Sequence, residues 1–151
     1  MDAKVTWKQE LQFTGVANSG FAVQMDSHPS VQTGASPMEM VAMALAGCTA
    51  MDVISILTKK RQDVTAFHTQ VHAERSTEQP TVFTSAVLEY VVTGHGIAED
   101  AVRVAIDRSV KKYCPVHAML KHAFPIEVRF SILEDNGTAE PRPVLQGVYE
   151  E

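Results

Sequence analysis

Alternation of apolar and polar side chains predicts three β-rich regions in this chain. A period of two is typical of strands with one buried face. We expect an N-terminal hairpin made of one strand through residues 5–13, a turn at 18–20 and a second strand, then a second hairpin that turns near 78–80, and a last strand near residue 126. The alternating positions are Val5, Trp7, Leu11, Phe13, Phe21, Val23 and Met25, then Phe67, Thr69, Val71, Ala73 and 82–92, then Ile126, Val128, Phe130 and Ile132.

Helical signals separate these regions. Ser36 is an N-cap residue, Pro37 suits the first helical position, and Glu39 completes an S-x-x-E capping box. The predicted helix continues to Leu57, and between 40 and 50 it is apolar almost all round, so it must be enclosed by other elements. A second helix is predicted over 98–113. A short third helix is expected to begin after Cys114, because the proline that follows disfavours helical geometry there.

The order of these elements predicts an α+β fold rather than a repeating parallel α/β sheet. We place one domain at residues 1–133. Residues 134–151 are polar, acidic and contain proline, so we expect a poorly ordered C-terminal tail.

Composition narrows the class of protein. The chain has 151 residues, 45% of them hydrophobic, and a net charge of −5. This size suits a single core that needs no disulfide or metal, and the acidic balance disfavours nucleic acid as a partner. The first residues lack a secretory signal, and the most apolar stretch is shorter than the roughly 20 residues of a membrane span. We therefore expect a cytoplasmic protein, in which a static disulfide is rare.

The chain has two cysteines, which are the leading candidates for chemistry. Cys48 lies in the predicted central helix among small residues that permit close approach to its sulfur, although a buried cysteine is also common as a small apolar side chain. Cys114 lies at a predicted helix N-terminus, where a thiolate is favoured, although it is also compatible with a simple N-cap. From the residues alone, Cys114 is the more reactive thiol.

Other polar residues near the cysteines are weaker candidates. Cys114-x-x-His117 resembles half of a zinc site, but a second ligand pair is missing, so we predict no metal and no cofactor. Glu39 precedes Cys48 by nine positions, which places it on the opposite side of a straight helix and favours a capping role. Asp52 lies one turn after Cys48, where its charge would disfavour a thiolate, and we expect it to pair with a lysine or arginine.

Two segments resemble the OsmC/Ohr family of osmotically inducible and organic hydroperoxide resistance proteins. The similarity covers about residues 1–133, is greatest to the subgroup named YhfA-like, and depends on the runs Ser-Pro-Met-Glu at 36–39, Ala-Gly-Cys-Thr-Ala-Met-Asp-Val at 46–53 and Lys-Lys-Tyr-Cys-Pro-Val at 111–116. The resemblance implies an OsmC-like fold, with antiparallel sheets wrapped around long central helices in an intertwined homodimer. It implies reduction of organic hydroperoxides, with Cys48 as the attacking thiol, Cys114 as the resolving thiol, Glu39 as a candidate third residue, and a dithiol or lipoylated protein as reductant.

One departure from the family pattern changes the functional expectation. Family peroxidases activate the thiolate with an N-terminal arginine and a glutamate that directly follows the helix-starting proline. Here no arginine precedes Arg61, and Met38 stands where that glutamate is expected. Candidate replacements are Arg103, Arg108 and Lys112. The alternative function is therefore a weakly active or non-catalytic dimer that binds an apolar ligand or another apolar electrophile, or senses oxidants.

Overall fold

The computed structural model describes residues 1–150, which form two sheets and three α-helices in the α+β class that the sequence predicts. Contacts divide the chain into two compact units, the first from Met1 to Met43 and the second from Ala44 onward. The elements in chain order are β1 (Ala3–Gln9), β2 (Gln12–Ala17), β3 (Ala22–Asp26), α1 (Pro37–Lys59), β4 (Asp63–Arg75), β5 (Phe83–His95), α2 (Glu99–Arg108), a π-helical turn (Ser109–Tyr113), α3 (Pro115–Leu120), β6 (Ile126–Glu134) and β7 (Arg142–Tyr149).

The first unit contains an antiparallel three-stranded meander in the order β1-β2-β3. The prediction of one strand through residues 5–13 is wrong, because the chain reverses between Gln9 and Gln12. Glu10 takes a positive φ of 42° at this turn. The register shifts at a bulge between Trp7 and Gln9, so that Trp7 pairs with Phe13 and odd-numbered side chains share one face in both strands. The period of two therefore continues across the turn and does not reveal it.

The predicted capping box at the start of α1 is confirmed. The Ser36 backbone N–H donates to the Glu39 carboxylate at 2.7 Å, and the Glu39 N–H donates to Ser36 Oγ at 3.3 Å. The hydrogen bond from the Ser36 N–H is also the main reason that the pKa of Glu39 is lowered. The carboxylate of Glu39 is therefore engaged in fixing the first turn of the helix.

Helix α1 is longer than the apolar stretch that marks it in the sequence. Its 23 residues are long and apolar enough to cross a membrane by length and composition. Core helices of soluble proteins meet the same test. Five of its side chains are buried, at the regular spacing of one helix stripe: Leu45, Thr49, Val53, Ile56 and Leu57. This stripe packs against the core, but only 22% of the most apolar window of α1 is buried, and Met43 and Met51 are exposed. The enclosure of α1 that the sequence predicts is therefore incomplete within one chain.

The second unit contains a four-stranded sheet in the order β4-β5-β6-β7. Strands β4 and β5 form the predicted hairpin, whereas β5 and β6 are parallel and are joined by the crossover through α2, the π-helical turn and α3. The resemblance implies antiparallel sheets, and the pair of β5 and β6 is a parallel exception. The core forms between one face of β5, α1 and α2, with Leu88, Tyr90, Val92, Val102 and Ile106 among its fully buried members.

The C-terminal region contains a strand where the sequence suggests a poorly ordered tail. Strand β7 pairs with β6 in antiparallel register. Leu145 and Tyr149 are partly buried and pack against the core. The residues before the strand are acidic and contain proline, and this composition conceals the alternation of side chains within β7. Composition averages over neighbouring residues, whereas a strand places them on two different faces.

Candidate functional site

Cys48 is presented by the long helix α1. It is half-buried, and it directly precedes Thr49, whose side chain is fully buried in the stripe that faces the core. The Thr49 hydroxyl donates within the helix to the carbonyl oxygens of Leu45 and Ala46, at 3.0 and 3.1 Å. This arrangement fixes Cys48 beside the core while leaving its sulfur partly accessible.

Cys114 is held by an unusual backbone segment. Its N–H donates to the Ser109 carbonyl at 2.9 Å, five residues back, which closes the π-helical turn. Such turns add one residue to a helix and are frequent at functional sites. Cys114 is then the N-cap of α3, where its sulfur accepts a hydrogen bond from the His117 N–H at 3.3 Å. The predicted helix start is confirmed, and the cysteine side chain is only 2% exposed.

The two cysteines are neighbours in the fold. Both are free thiols. Burial, and then a hydrogen bond with the Cys48 thiol, raise the pKa of Cys114 to about 12, and the N–H groups of His117 and Val116 offset only part of this. Burial and Cys48 therefore outweigh the helix N-terminus, which by itself would favour the thiolate form of Cys114. Cys114 therefore remains protonated at neutral pH.

A polar contact links the helix that carries Cys48 to the π-helical turn. Ser109, fully buried, donates its hydroxyl to Asp52 Oδ2 at 3.0 Å. The hydrogen-bond partner that the structure gives Asp52 is this hydroxyl, where the sequence led us to expect a lysine or arginine. Asp52 also lines a cleft of about 270 Å³. The other lining residues are Ser55, Ile56, Lys59, Lys60, Arg108 and Tyr113.

Two of the three candidate replacements for the family's activating arginine are engaged elsewhere, and the third, Arg108, lies in the cleft beside Asp52. Arg103 pairs with Glu99 at 2.7 Å, Arg108 lines the cleft, and Lys112 lies over the ring of Tyr113 at 5.5 Å. The main groups that shift the pKa of the buried thiol include no cation. Among residues 1–150, no cluster of three or more metal-ligating side chains accompanies the half motif at 114–117.

Tyr90 is a polar residue of this site that the sequence argument misses. It lies on β5 and is 0% exposed. Burial raises its pKa strongly, the Thr49 side chain offsets part of this, and Cys114, Asp52 and Cys48 raise it further when they are charged. Alternation in the run Leu88, Tyr90, Val92 places it on the buried face, which is the signal that a polar atom enters the core.

Comparison with known proteins identifies the family. Residues 28–129 match the family described as OsmC-like protein. The chain is also 42% identical over 133 residues to Protein YhfA of Escherichia coli strain K12. The aligned region covers 88% of this chain and 98% of that protein.

The chain belongs to the OsmC-like protein family. Solved structures agree on the fold. The crystal structure of an OsmC-like protein from Mycoplasma pneumoniae has a TM-score of 0.75 at 19% identity, covering 87% of this chain and 95% of that one. An organic hydroperoxide resistance protein from Elizabethkingia anophelis has a TM-score of 0.62 at 9% identity, covering 88% and 94%.

Proposed function

We propose that this OsmC-like protein reduces organic hydroperoxides with its cysteine pair. The Cys48 thiolate attacks one peroxide oxygen, the O–O bond breaks, and the alkoxide leaves as an alcohol after taking up a proton. Cys48 becomes a sulfenic acid, which condenses with the Cys114 thiol to give a disulfide and water. The peroxide is reduced by two electrons, and the two thiols are oxidised to one disulfide.

The observation that supports this proposal is the proximity of the two thiols, which is close enough for Cys48 to raise the pKa of Cys114. A disulfide requires Cα atoms within about 7 Å of each other, which distant segments achieve only through the fold. The raised pKa of Cys114 keeps that thiol protonated at neutral pH, which suits the resolving role that the proposal gives it. In this proposal Glu39 acts through the cap that holds the start of α1.

The partners in the proposal follow from this chemistry and from the family. The substrate is a small apolar hydroperoxide, in line with the names of structural neighbours described as organic hydroperoxide resistance proteins. A dithiol, such as a lipoylated protein, returns the disulfide to two thiols, so the cycle uses no metal or cofactor. We propose that the protein works as a cytoplasmic homodimer.

The test is an intact-mass measurement after addition of one equivalent of cumene hydroperoxide. We expect the wild type to lose two hydrogens as the disulfide forms. Cys48→Ser should show no mass change, whereas Cys114→Ser should gain one oxygen that dimedone traps. A wild type that keeps its mass, or a Cys48→Ser variant that still consumes peroxide at the same rate, would contradict the proposal.

The lack of an arginine before Arg61, together with Met38 where the family has its glutamate, favours a second function, a sensor or ligand-binding module with little turnover. A sensor would form the disulfide once but would consume peroxide slowly when dihydrolipoamide is supplied in excess. Steady-state assays with cumene hydroperoxide and hydrogen peroxide separate these functions. Multiple turnovers that disappear in both cysteine variants support the peroxidase, and a single turnover supports the sensor.

A further inference from the structure

Three basic side chains converge on one cleft of the second unit without a carboxylate partner. Lys59, Lys60 and Arg108 line this cleft, which has a volume of about 270 Å³. Within the described part of the chain, none of the three forms an ion pair, whereas nearby Lys111 contacts the Asp107 carboxylate at 2.7 Å. The net charge of the chain is −5, so the overall composition does not account for a cluster of free cations.

The position of these charges at helix ends explains them only in part. Cations near the C-terminus of a helix stabilise its unpaired carbonyl groups. At the end of α1, however, the carbonyls of residues 56, 57 and 58 already accept backbone N–H groups. Arg108 does not lie at a free helix end, because α2 continues directly into the π-helical turn. The three charges therefore remain available to a ligand.

The rest of the cleft lining suits an oxyanion. Ser55 and Tyr113 supply hydroxyl groups, and both residues are exposed. Asp52 is the carboxylate in the lining, and its Oδ2 already accepts the Ser109 hydroxyl at 3.0 Å. Three positive charges and this one negative charge leave the cleft with a net charge of +2. Lysine and arginine side chains are those that proteins use to bind phosphate, lysine as a point charge and arginine through its planar fork.

We propose that this cleft binds a phosphate group, either as inorganic phosphate or as part of a small phosphomonoester. Its volume lies just below the roughly 300–1,000 Å³ of sites for drug-sized ligands, which favours a small anion. A phosphate dianion would neutralise the net charge of the cleft, and the guanidinium of Arg108 can donate to two of its oxygens. Binding involves no covalent step and no change of redox state.

The bound phosphate would lie apart from the thiols. Ser55 follows Cys48 by seven residues, which is two helical turns on one side of α1, or about 10 Å along the helix axis. The inference therefore goes beyond the proposed function and does not depend on it. Cys48→Ser should bind phosphate as the wild type does, whether or not the protein reduces hydroperoxides.

Titration of the isotope-labelled protein with sodium phosphate, followed by NMR at constant ionic strength, tests the inference. Constant ionic strength removes the general screening effect of added salt. We expect saturable shifts in the backbone amide signals of Ser55, Arg108 and Tyr113. Arg108→Gln should raise the Kd about 10- to 100-fold, the range for loss of a hydrogen bond to a charged group. Arg142→Gln, which removes an exposed arginine on β7, is the matched control and should leave the Kd unchanged.

Parallel titrations with glycerol 3-phosphate and with glycerol distinguish the two sources of the phosphate group. Tighter binding of glycerol 3-phosphate identifies a phosphomonoester as the ligand, and tighter binding of inorganic phosphate identifies the free anion, whereas glycerol alone should have no effect. Shifts that do not saturate, that sodium chloride reproduces, or that keep the same midpoint in Arg108→Gln would overturn the inference. Lys59→Gln, a change at another exposed position, repeats the test if Arg108→Gln melts at a lower temperature than the wild type.

Discussion

The hydrogen bond between Ser109 and Asp52 provides a sharp test of how the two cysteine-bearing segments are held together. It joins α1 to the π-helical turn at 3.0 Å, and Ser109 is fully buried. A hydrogen bond to a charged group contributes about 1.5–3 kcal/mol. Because Asp52 is half-buried, we expect Ser109→Ala to cost about 2 kcal/mol, or a melting temperature lower by about 4–8 °C for a chain of this length.

A double-mutant cycle isolates this interaction from other effects of the substitutions. Charge-assisted hydrogen bonds are roughly twice as strong as neutral ones. Ser109→Ala should therefore cost about 1 kcal/mol when combined with Asp52→Asn, which gives a coupling free energy of about 1 kcal/mol. Ser55→Ala is the matched control, because Ser55 lines the same cleft and is exposed. It should change the free energy of unfolding by less than about 0.5 kcal/mol.

Urea unfolding at one fixed protein concentration, followed by circular dichroism, measures these quantities. A cost below about 0.5 kcal/mol for Ser109→Ala, or the same cost with and without Asp52→Asn, would refute the view that this contact joins the two segments. A large effect of Ser55→Ala would show that the cleft tolerates no truncation and that the cycle reports general disruption.

Three further predictions concern stability. The folded protein should lose stability as pH rises from about 9, the ordinary pKa of the thiol, toward the raised pKa of Cys114 near 12, because the unfolded chain releases the thiol proton at lower pH than the folded chain. Over this range the urea midpoint of the wild type should therefore fall more steeply than that of Cys114→Ala. Gly94→Ala should lower the free energy of unfolding by at least about 2 kcal/mol, since a Cβ there would lie 2.0 Å from the Asp63 carbonyl oxygen. Gly47→Ala should instead stabilise α1 by about 0.5–1 kcal/mol, because no atom lies within 4 Å of the added Cβ. Equal urea midpoints for the two variants would contradict this prediction. Ser36→Ala should cost about 1 kcal/mol through loss of the cap, measured as a lower melting temperature, and no change would mean that the cap is dispensable.

Local signals in the sequence predicted those elements that depend on nearest neighbours along the chain. The start of α1 followed from Ser36, Pro37 and Glu39, because a capping box is a contact between residues three apart. The start of α3 followed from the Cys114-Pro115 step for the same reason. The reversal at Glu10 was missed, since no glycine or asparagine marks its positive φ.

The candidate site was predicted in its members but not in its electrostatics. The resemblance named Cys48 and Cys114, and their proximity is a property of the tertiary fold. The raised pKa of Cys114 depends on burial and on the neighbouring Cys48, which no local pattern encodes. The π-helical turn and the buried hydroxyl of Tyr90 were missed for the same reason, because a one-residue insertion and a donor from another element are visible only once the segments meet.

The edge position of β7 has a practical consequence for anyone who shortens this chain. The match to the OsmC-like family description ends at residue 129, before β7 begins, so a protein cut after residue 133 would look complete by that criterion. Such a cut would uncover the backbone N–H and C=O groups of β6 and one side of the Phe130 ring, which Gly147 now contacts closely. A bare strand of this kind recruits strands from other molecules, and we expect the shortened chain to precipitate.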